Sequence, residues 1–227
     1  MNQVIRKLWP LFRQIGLALI IFLITAVGFV QLADEVSEGE TMEFDRQFLM
    51  MINRGASDLQ DIIWFVITQL GGFIAVPVIT TAIVLLLVKR RRYYKAVLLA
   101  AGVGGAALLN VILKLLFERS RPDLWEQIVV ETSPSFPSGH AMASCALAVS
   151  LIFVTWSTKW RNLVIIGALV YVVLVGYSRL YLGVHYLTDV IAGWAASIAW
   201  VLLVAFLVYK FTGKLSGQRF TKDRHSL

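Results

Sequence analysis

The chain has 227 residues, 58% of them hydrophobic and only 15% charged, and its mean hydropathy is +0.74. Soluble domains carry about 45–50% apolar and about 25% charged residues, so this composition excludes an ordinary water-soluble domain and points to a bilayer. A net charge of +7 would suit a nucleic-acid partner, but the basic residues form short clusters between long apolar runs, which argues against one.

A transmembrane helix needs roughly 20 mainly apolar residues. The first such run, Ile15–Leu32, follows the basic flank Arg6, Lys7 and Arg13. It is longer than a secretory h-region and has no A-x-A-like site before Asp34, so a retained helix is expected. Residues 33–57 read as a polar, acidic connection whose short apolar piece, Phe48–Ile52, would lie along the interface. The second run, Ile62–Val88, contains Gly71, Gly72 and Pro77 and is expected to kink or tilt. Ala96–Phe117 is the third run, and Val190–Phe211 the sixth. Between them Ala141–Trp156 and Leu163–Tyr177 are short and must borrow length from their flanks. With no internal repeat, low-complexity tract or second soluble domain, the expectation is one all-α membrane domain over 1–227 with six spans. The single cysteine, Cys145, lies in an apolar run and reads as a packing residue.

Six spans place both termini on one side, and the charges test that arrangement. The N-terminus, Lys89–Lys95, Ser157–Arg161 and the tail from Lys210 together hold 15 of the 21 Lys and Arg but only one acid, Asp223. The opposite connections hold the other 13 of 14 acids. The positive-inside rule therefore puts both termini in the cytoplasm. A bacterial inner (plasma) membrane suits such a chain, with the chemistry-bearing residues facing the periplasm or exterior.

Those residues come in three groups, since ionisable side chains at membrane depth are costly and default to function. Lys114 stands seven before Arg121-Pro122, a spacing that would share a helix face were Pro122 not opposed to helix at Arg121. Snorkelling and interfacial anchoring would also explain this pair. Pro137-Ser138-Gly139-His140 precedes an apolar helix: Ser is a favoured N-cap, Gly permits close approach, and a helix N-terminus suits phosphate. An ordinary helix start with an interfacial His is the plain alternative. Ser178-Arg179, His185 and Asp189 form the third group. His185 and Asp189, four apart, would meet on one helix face; a carboxylate on one imidazole nitrogen leaves the other free to attack. A structural His–Asp pair would look the same. Collected on one membrane face, three cations, two histidines, a carboxylate and a Gly-containing helix start match the inventory of phosphoryl transfer.

The patterns K-x6-R-P (Lys114 to Pro122), P-S-G-H (Pro137 to His140) and S-R-x5-H-x3-D (Ser178 to Asp189) resemble the three motifs of the type 2 phosphatidic acid phosphatase superfamily, which includes vanadium haloperoxidases and glucose-6-phosphatases. The resemblance implies that His185 attacks phosphorus and becomes phosphohistidine while Asp189 orients it. It implies that His140 protonates the leaving alkoxide and later activates water. Lys114, Arg121 and Arg179 would hold the phosphate oxygens, with Ser138 and the Gly139 backbone adding hydrogen bonds. No metal and no cofactor is implied, and the outer acids form no compact ligand cluster.

The expected partners are a lipid phosphate and the bilayer itself. Undecaprenyl pyrophosphate, phosphatidylglycerophosphate, phosphatidic acid and lipid A phosphates all fit the motifs, which describe phosphate and not the rest of the lipid. A phosphotransferase would use the same residues, and a transporter with a His185–Asp189 proton relay is the rival from another class. Glu118, Asp123 and Glu126 read as solvated or locally paired, His225 as a solvated tail residue, and Asn110 as an interhelical hydrogen-bonding residue. Trp125, Tyr181 and Tyr186 read as an aromatic belt.

Overall fold

The computed structural model describes residues 3–53, 57–125, 129 and 131–222, with side chains described over 16–52, 57–125, 129 and 131–212. Regular structure among the described residues is helical throughout: α1 (Gln3–Glu38), α2 (Met42–Asn53), α3 (Asp58–Leu70), α4 (Ala75–Lys89), α5 (Tyr93–Phe117), α6 (Gly139–Thr155), α7 (Arg161–Tyr181) and α8 (Leu187–Lys222). Five stretches are long and apolar enough to cross a membrane: Gly16–Glu38, Asp58–Lys89, Tyr93–Phe117, Arg161–Tyr181 and Leu187–Thr212; the shorter Gly139–Thr155 is also apolar. Glu126 and His225 lie outside the described residues, as do the side chains of Arg6, Lys7 and Arg13.

The structure departs from expectation in the first third. Helix α1 does not stop at Leu32 but runs on through the acidic stretch, because that stretch is amphipathic. Ala33 and Val36, three apart, are buried against Phe136 and Ala192 while Asp34 and Glu35 stay exposed. The piece around Phe48–Ile52 forms α2 and docks on protein instead of lying free on the interface. Leu49 is fully buried among Ala141, Leu180, Tyr186 and Val190, leaving Phe44, Met50 and Met51 outward. The second expected span, by contrast, is present as Asp58–Lys89, bent as expected at the break between Leu70 and Ala75 where Gly71 and Gly72 sit. A Cβ on Gly71 would come within 2.3 Å of Val175, so the break lets α7 approach this closely.

At the centre lies α6, packed against α5, α7 and α8, while α1 covers α8. Its apolar residues point in all directions, as befits a helix enclosed by others, and Cys145 is buried there. Outward faces carry apolar side chains such as Leu19, Ile24, Leu85, Leu108 and Leu169, the surface that acyl chains require. Because α5 to α8 alternate in direction, the turns 90–95 and 156–160 share one end; there Lys95 Nζ donates to Val154 O at 2.6 Å. The α5–α6 and α7–α8 connections share the other end, and all three motif groups lie there.

Candidate active site

The α5–α6 connection begins where Glu118 takes a left-handed conformation (φ 43°), ending α5 before Arg121. Lys114 and Arg121 therefore do not share a helix face; the loop turns back and brings both to the segment 133–134. Lys114 Nζ donates to Ser133 Oγ at 3.2 Å and to Pro134 O. Arg121 donates to Ser133 O at 2.7 Å and to Val184 O at 2.7 Å. Beyond it, Ser138 caps α6, its Oγ accepting from Ala141 N, and its own N–H donates to Asp189 O at 3.0 Å. That bond ties the second motif to the third. Asn110 braces the same turn by donating to Pro137 O at 3.0 Å, and its Oδ1 would lie 3.1 Å from a Cβ on Gly139.

His185 is not in a helix with Asp189. It sits in the connection before α8, and Asp189 is in the first turn of α8, where Oδ2 accepts from Tyr186 N at 2.8 Å and so caps the helix start. Folding back this way still sets the Asp189 carboxylate behind the ring: His185 Nδ1 lies 3.4 Å from Asp189 Oδ2. Ser135, buried between them, donates to Asp189 Oδ2 at 2.5 Å and stands 3.3 Å from Nδ1. On the other edge of the ring, His185 Nε2 faces Arg121 Nη1 at 3.3 Å. The imidazole is thus buried with one nitrogen toward acceptors and the other toward cations. Burial, then the charges of Arg179, Arg121 and Lys114, hold its pKa well below the usual histidine range. A neutral ring with a proton on Nδ1 has its lone pair on Nε2, pointing into the cationic cluster.

Arg179, at the end of α7 and 1% exposed, donates to Thr68 Oγ1 of α3 at 2.9 Å and pairs closely with Glu131. The same carboxylate lies 3.6 Å from Arg121 Nη2. Nε of Arg179 is buried without a hydrogen-bond partner among the described residues. Burial pulls the Arg121 guanidinium down from its ordinary value, with Glu131 and Asp189 opposing that shift. His140, in the first turn of α6, lies within electrostatic reach of Arg179, His185, Arg121 and Lys114, and its ring meets Phe73 edge-on at 5.5 Å. All eight expected site residues therefore converge on one end of the bundle.

Several neighbours were not expected. Glu131, Ser133, Ser135 and Thr68 complete the surroundings of the motif residues, and Arg119 joins Asp189 to Asp45 of α2 by ion pairs of 2.6 and 2.8 Å. None has a local signature, although the two Ser that flank Pro134 before P-S-G-H mark a polar turn. The supposed aromatic belt is partly interior. Tyr181 and Tyr186 are buried, Tyr181 donating to Asp61 at 2.7 Å, and Trp125 packs over Gly183, where a Cβ would be 2.7 Å away. Glu118 and Asp123 are exposed. No group of three or more His, Cys, Asp or Glu suited to a metal occurs among the described residues.

The model of the PAP2 superfamily matches residues 95–213. Phosphatidylglycerophosphatase B of Bacillus subtilis is 45% identical over 113 residues, 48% of this chain and 53% of that protein. An undecaprenyl-diphosphatase of Sulfolobus acidocaldarius is 46% identical over 63 residues, 28% of each chain. These alignments span about half, or less, of the length of the curated relatives. The crystal structure of a transmembrane PAP2-type phosphatidylglycerolphosphate phosphatase from Bacillus subtilis superposes with a TM-score of 0.74 at 31% identity, covering 85% of this chain and 96% of that one. LpxE from Aquifex aeolicus shares the fold, with a TM-score of 0.58 at 23% identity over 71% of this chain and 94% of that one.

Proposed function

The chain belongs to the PAP2 superfamily, and from that premise we propose that it is a multi-pass membrane phosphatase that hydrolyses a lipid phosphomonoester or diphosphate through a phosphohistidine on His185. The observation that carries this reading is the orientation of His185, with Nδ1 toward Asp189 and Ser135 and Nε2 toward Arg121. In the first half-reaction Nε2 attacks phosphorus in line, and the bond from phosphorus to the lipid oxygen breaks. His140 gives that oxygen its proton, the bound phosphate's negative charge favouring the imidazolium beforehand. Lys114, Arg121, Arg179 and the Ser138–Gly139 turn hold the equatorial oxygens. In the second, His140 takes a proton from water, which attacks the phosphohistidine and releases orthophosphate.

Six spans with both termini in the cytoplasm, and the site on the periplasmic or external side of the plasma membrane, are part of the same proposal. The charge distribution supports this, as does the separation of the basic turns 90–95 and 156–160 from the motif end. Phosphatidylglycerophosphate and undecaprenyl diphosphate are the leading substrates, because relatives named for both align with this chain.

Purified protein should release inorganic phosphate from at least one of these lipids without an acceptor lipid and with chelator present. His185→Ala should lose at least about 10⁴-fold in kcat, as removal of a covalent nucleophile does. Substantial turnover by folded His185→Ala protein rules out the phosphohistidine route, and a strict need for an acceptor identifies a transferase instead.

A further inference from the structure

Arg119 and Arg121 leave the same loop in opposite directions. Arg121 faces the phosphate side of His185, whereas Arg119 turns inward and is buried. Arg119 Nη1 donates to Asp189 Oδ1 at 2.6 Å and to Thr188 Oγ1 at 2.8 Å. Its Nη2 donates to Asp45 Oδ2 at 2.8 Å and to Thr41 Oγ1 at 3.3 Å, and its guanidinium lies 4.3 Å over the Tyr186 ring. Asp45 completes the ring of contacts by accepting from Thr188 N at 3.1 Å and Thr188 Oγ1 at 2.6 Å. Both carboxylates are fully buried, so the cluster is held without solvent in between.

We propose that Arg119, clamped by Asp45 of α2, is a positioning residue for Asp189, so that α2 is a working part of the site. The proposal rests on the phosphohistidine reading above. Its physical basis is the division of labour on the Asp189 carboxylate. Oδ1 is held by Arg119, while Oδ2 takes Ser135 and the Tyr186 N–H and points at His185 Nδ1. At 3.4 Å from Nδ1, Oδ2 stands just beyond the usual N–H···O hydrogen-bonding distance. Rotation of the carboxylate by a few tenths of an ångström therefore decides whether it orients the ring and stabilises the imidazole as it acquires phosphorus. The planar fork of Arg suits this task, because each arm serves a different carboxylate; a lysine ammonium is one point charge and cannot span both in the same geometry. Asp45 and Thr41 lie outside the segment 95–213 matched by the family model, so this support comes from the chain's other half.

A purely structural clamp predicts something different, and the experiment separates the two. Arg119→Lys, Asp45→Asn and the double variant are purified beside wild type and His185→Ala. The readouts are thermal midpoint, kcat, KM, competitive inhibition by inorganic phosphate, and single-turnover formation of the acid-labile phosphoenzyme from radiolabelled lipid phosphate. Positioning predicts that Arg119→Lys loses about 10–100-fold in kcat, the range typical of groups that orient a catalytic ligand. Phosphoenzyme formation slows in step, while KM and phosphate inhibition stay within about threefold. Asp45→Asn loses less in the same direction, and the double variant is no worse than Arg119→Lys because both act through one carboxylate. A lower thermal midpoint with normal kcat in the folded protein overturns the proposal, as does weakened phosphate inhibition that accounts for the whole loss. Turnover by His185→Ala overturns the underlying reading itself; loss of turnover there with Arg119→Lys unaffected overturns only the positioning role.

Discussion

The two flanks of His185 are built from the same residue types to opposite ends. On the α2–α8 flank one guanidinium, Arg119, lies between two fully buried carboxylates, Asp45 and Asp189, whose oxygens are bonded to backbone or hydroxyl groups as well. Burial opposes the charge on Arg119, yet Asp189 and Asp45 outweigh it and raise its pKa. On the α3–α7 flank three cations, Lys114, Arg121 and Arg179, gather around Glu131, which pairs with Arg179 and lies 3.6 Å from Arg121, is 18% exposed and belongs to the α5–α6 connection. The first flank has surplus negative charge and no room for exchange, so it holds geometry. The second has surplus positive charge and a partly exposed partner, which suits it, under the proposed function, to an anion. On the proposed mechanism, this difference in charge balance separates the groups that would aim His185 from those that would bind the phosphate.

Substitutions that act on one flank only should split kcat from affinity, and the largest effect belongs to the aiming side. Asp189→Asn should lower kcat by about 10³–10⁴-fold with little change in KM, because the amide can stabilise the wrong ring tautomer. Arg179→Lys, on the binding side, should instead weaken inhibition by inorganic phosphate or vanadate by about 10–100-fold, since it removes a charge-assisted bond and a bidentate geometry. Equal effects of both substitutions on both parameters would dissolve the distinction.

The pH dependence sharpens it further. With its pKa held well below the usual value by burial and by Arg179, Arg121 and Lys114, His185 is neutral in the folded protein at neutral and mildly acidic pH. The acid limb of kcat/KM due to this ring should therefore lie below the ordinary histidine value of about 6.5. Folding has the matching signature. Below about pH 6.5 the unfolded chain takes up a proton that the native ring refuses, so this contribution to stability is intact above that pH and is lost as pH falls. Between pH 7 and pH 5 the thermal midpoint of wild type should fall more than that of His185→Gln.

The motif residues on both flanks are legible in the sequence and their supporting partners are not, and the reason is distance along the chain. Lys114, Arg121, Ser138, Gly139, His140, Arg179, His185 and Asp189 sit in short spacings that resemble known motifs. Asp45 and Arg119 are 74 residues apart, and each alone looks like a charge near a helix end. Helix periodicity located most spans, but the polar residues 33–53 conceal an amphipathic continuation of α1 and the docking face of α2, which only the buried Ala33, Val36 and Leu49 reveal. The spacing of His185 and Asp189 points to the contact that the structure shows, at 3.4 Å, although the two do not share a helix face. Asp189 reaches back over the start of α8 as a capping carboxylate, a pattern whose local signal was present in the acid three residues after Tyr186.

Glu131 offers the smallest expected effect and the most direct test of the exchange idea. Its carboxylate touches Arg179 and lies 3.6 Å from Arg121, as two oxygens of a phosphate would. If a substrate phosphate takes over these cations, the carboxylate competes with it in the free protein. Glu131→Gln removes the competing charge and should tighten inhibition by inorganic phosphate about threefold, while leaving kcat within a similar factor. The same change leaves buried Arg179 without its counter-charge, so the unliganded variant should melt at a lower temperature. Added phosphate should then raise its midpoint more than that of wild type, since ligand binding to the native state restores what the substitution removed. Weaker phosphate binding in Glu131→Gln would mean that the carboxylate assembles the cationic cluster instead of competing for it, and the α3–α7 flank would then be a fixed scaffold like its counterpart.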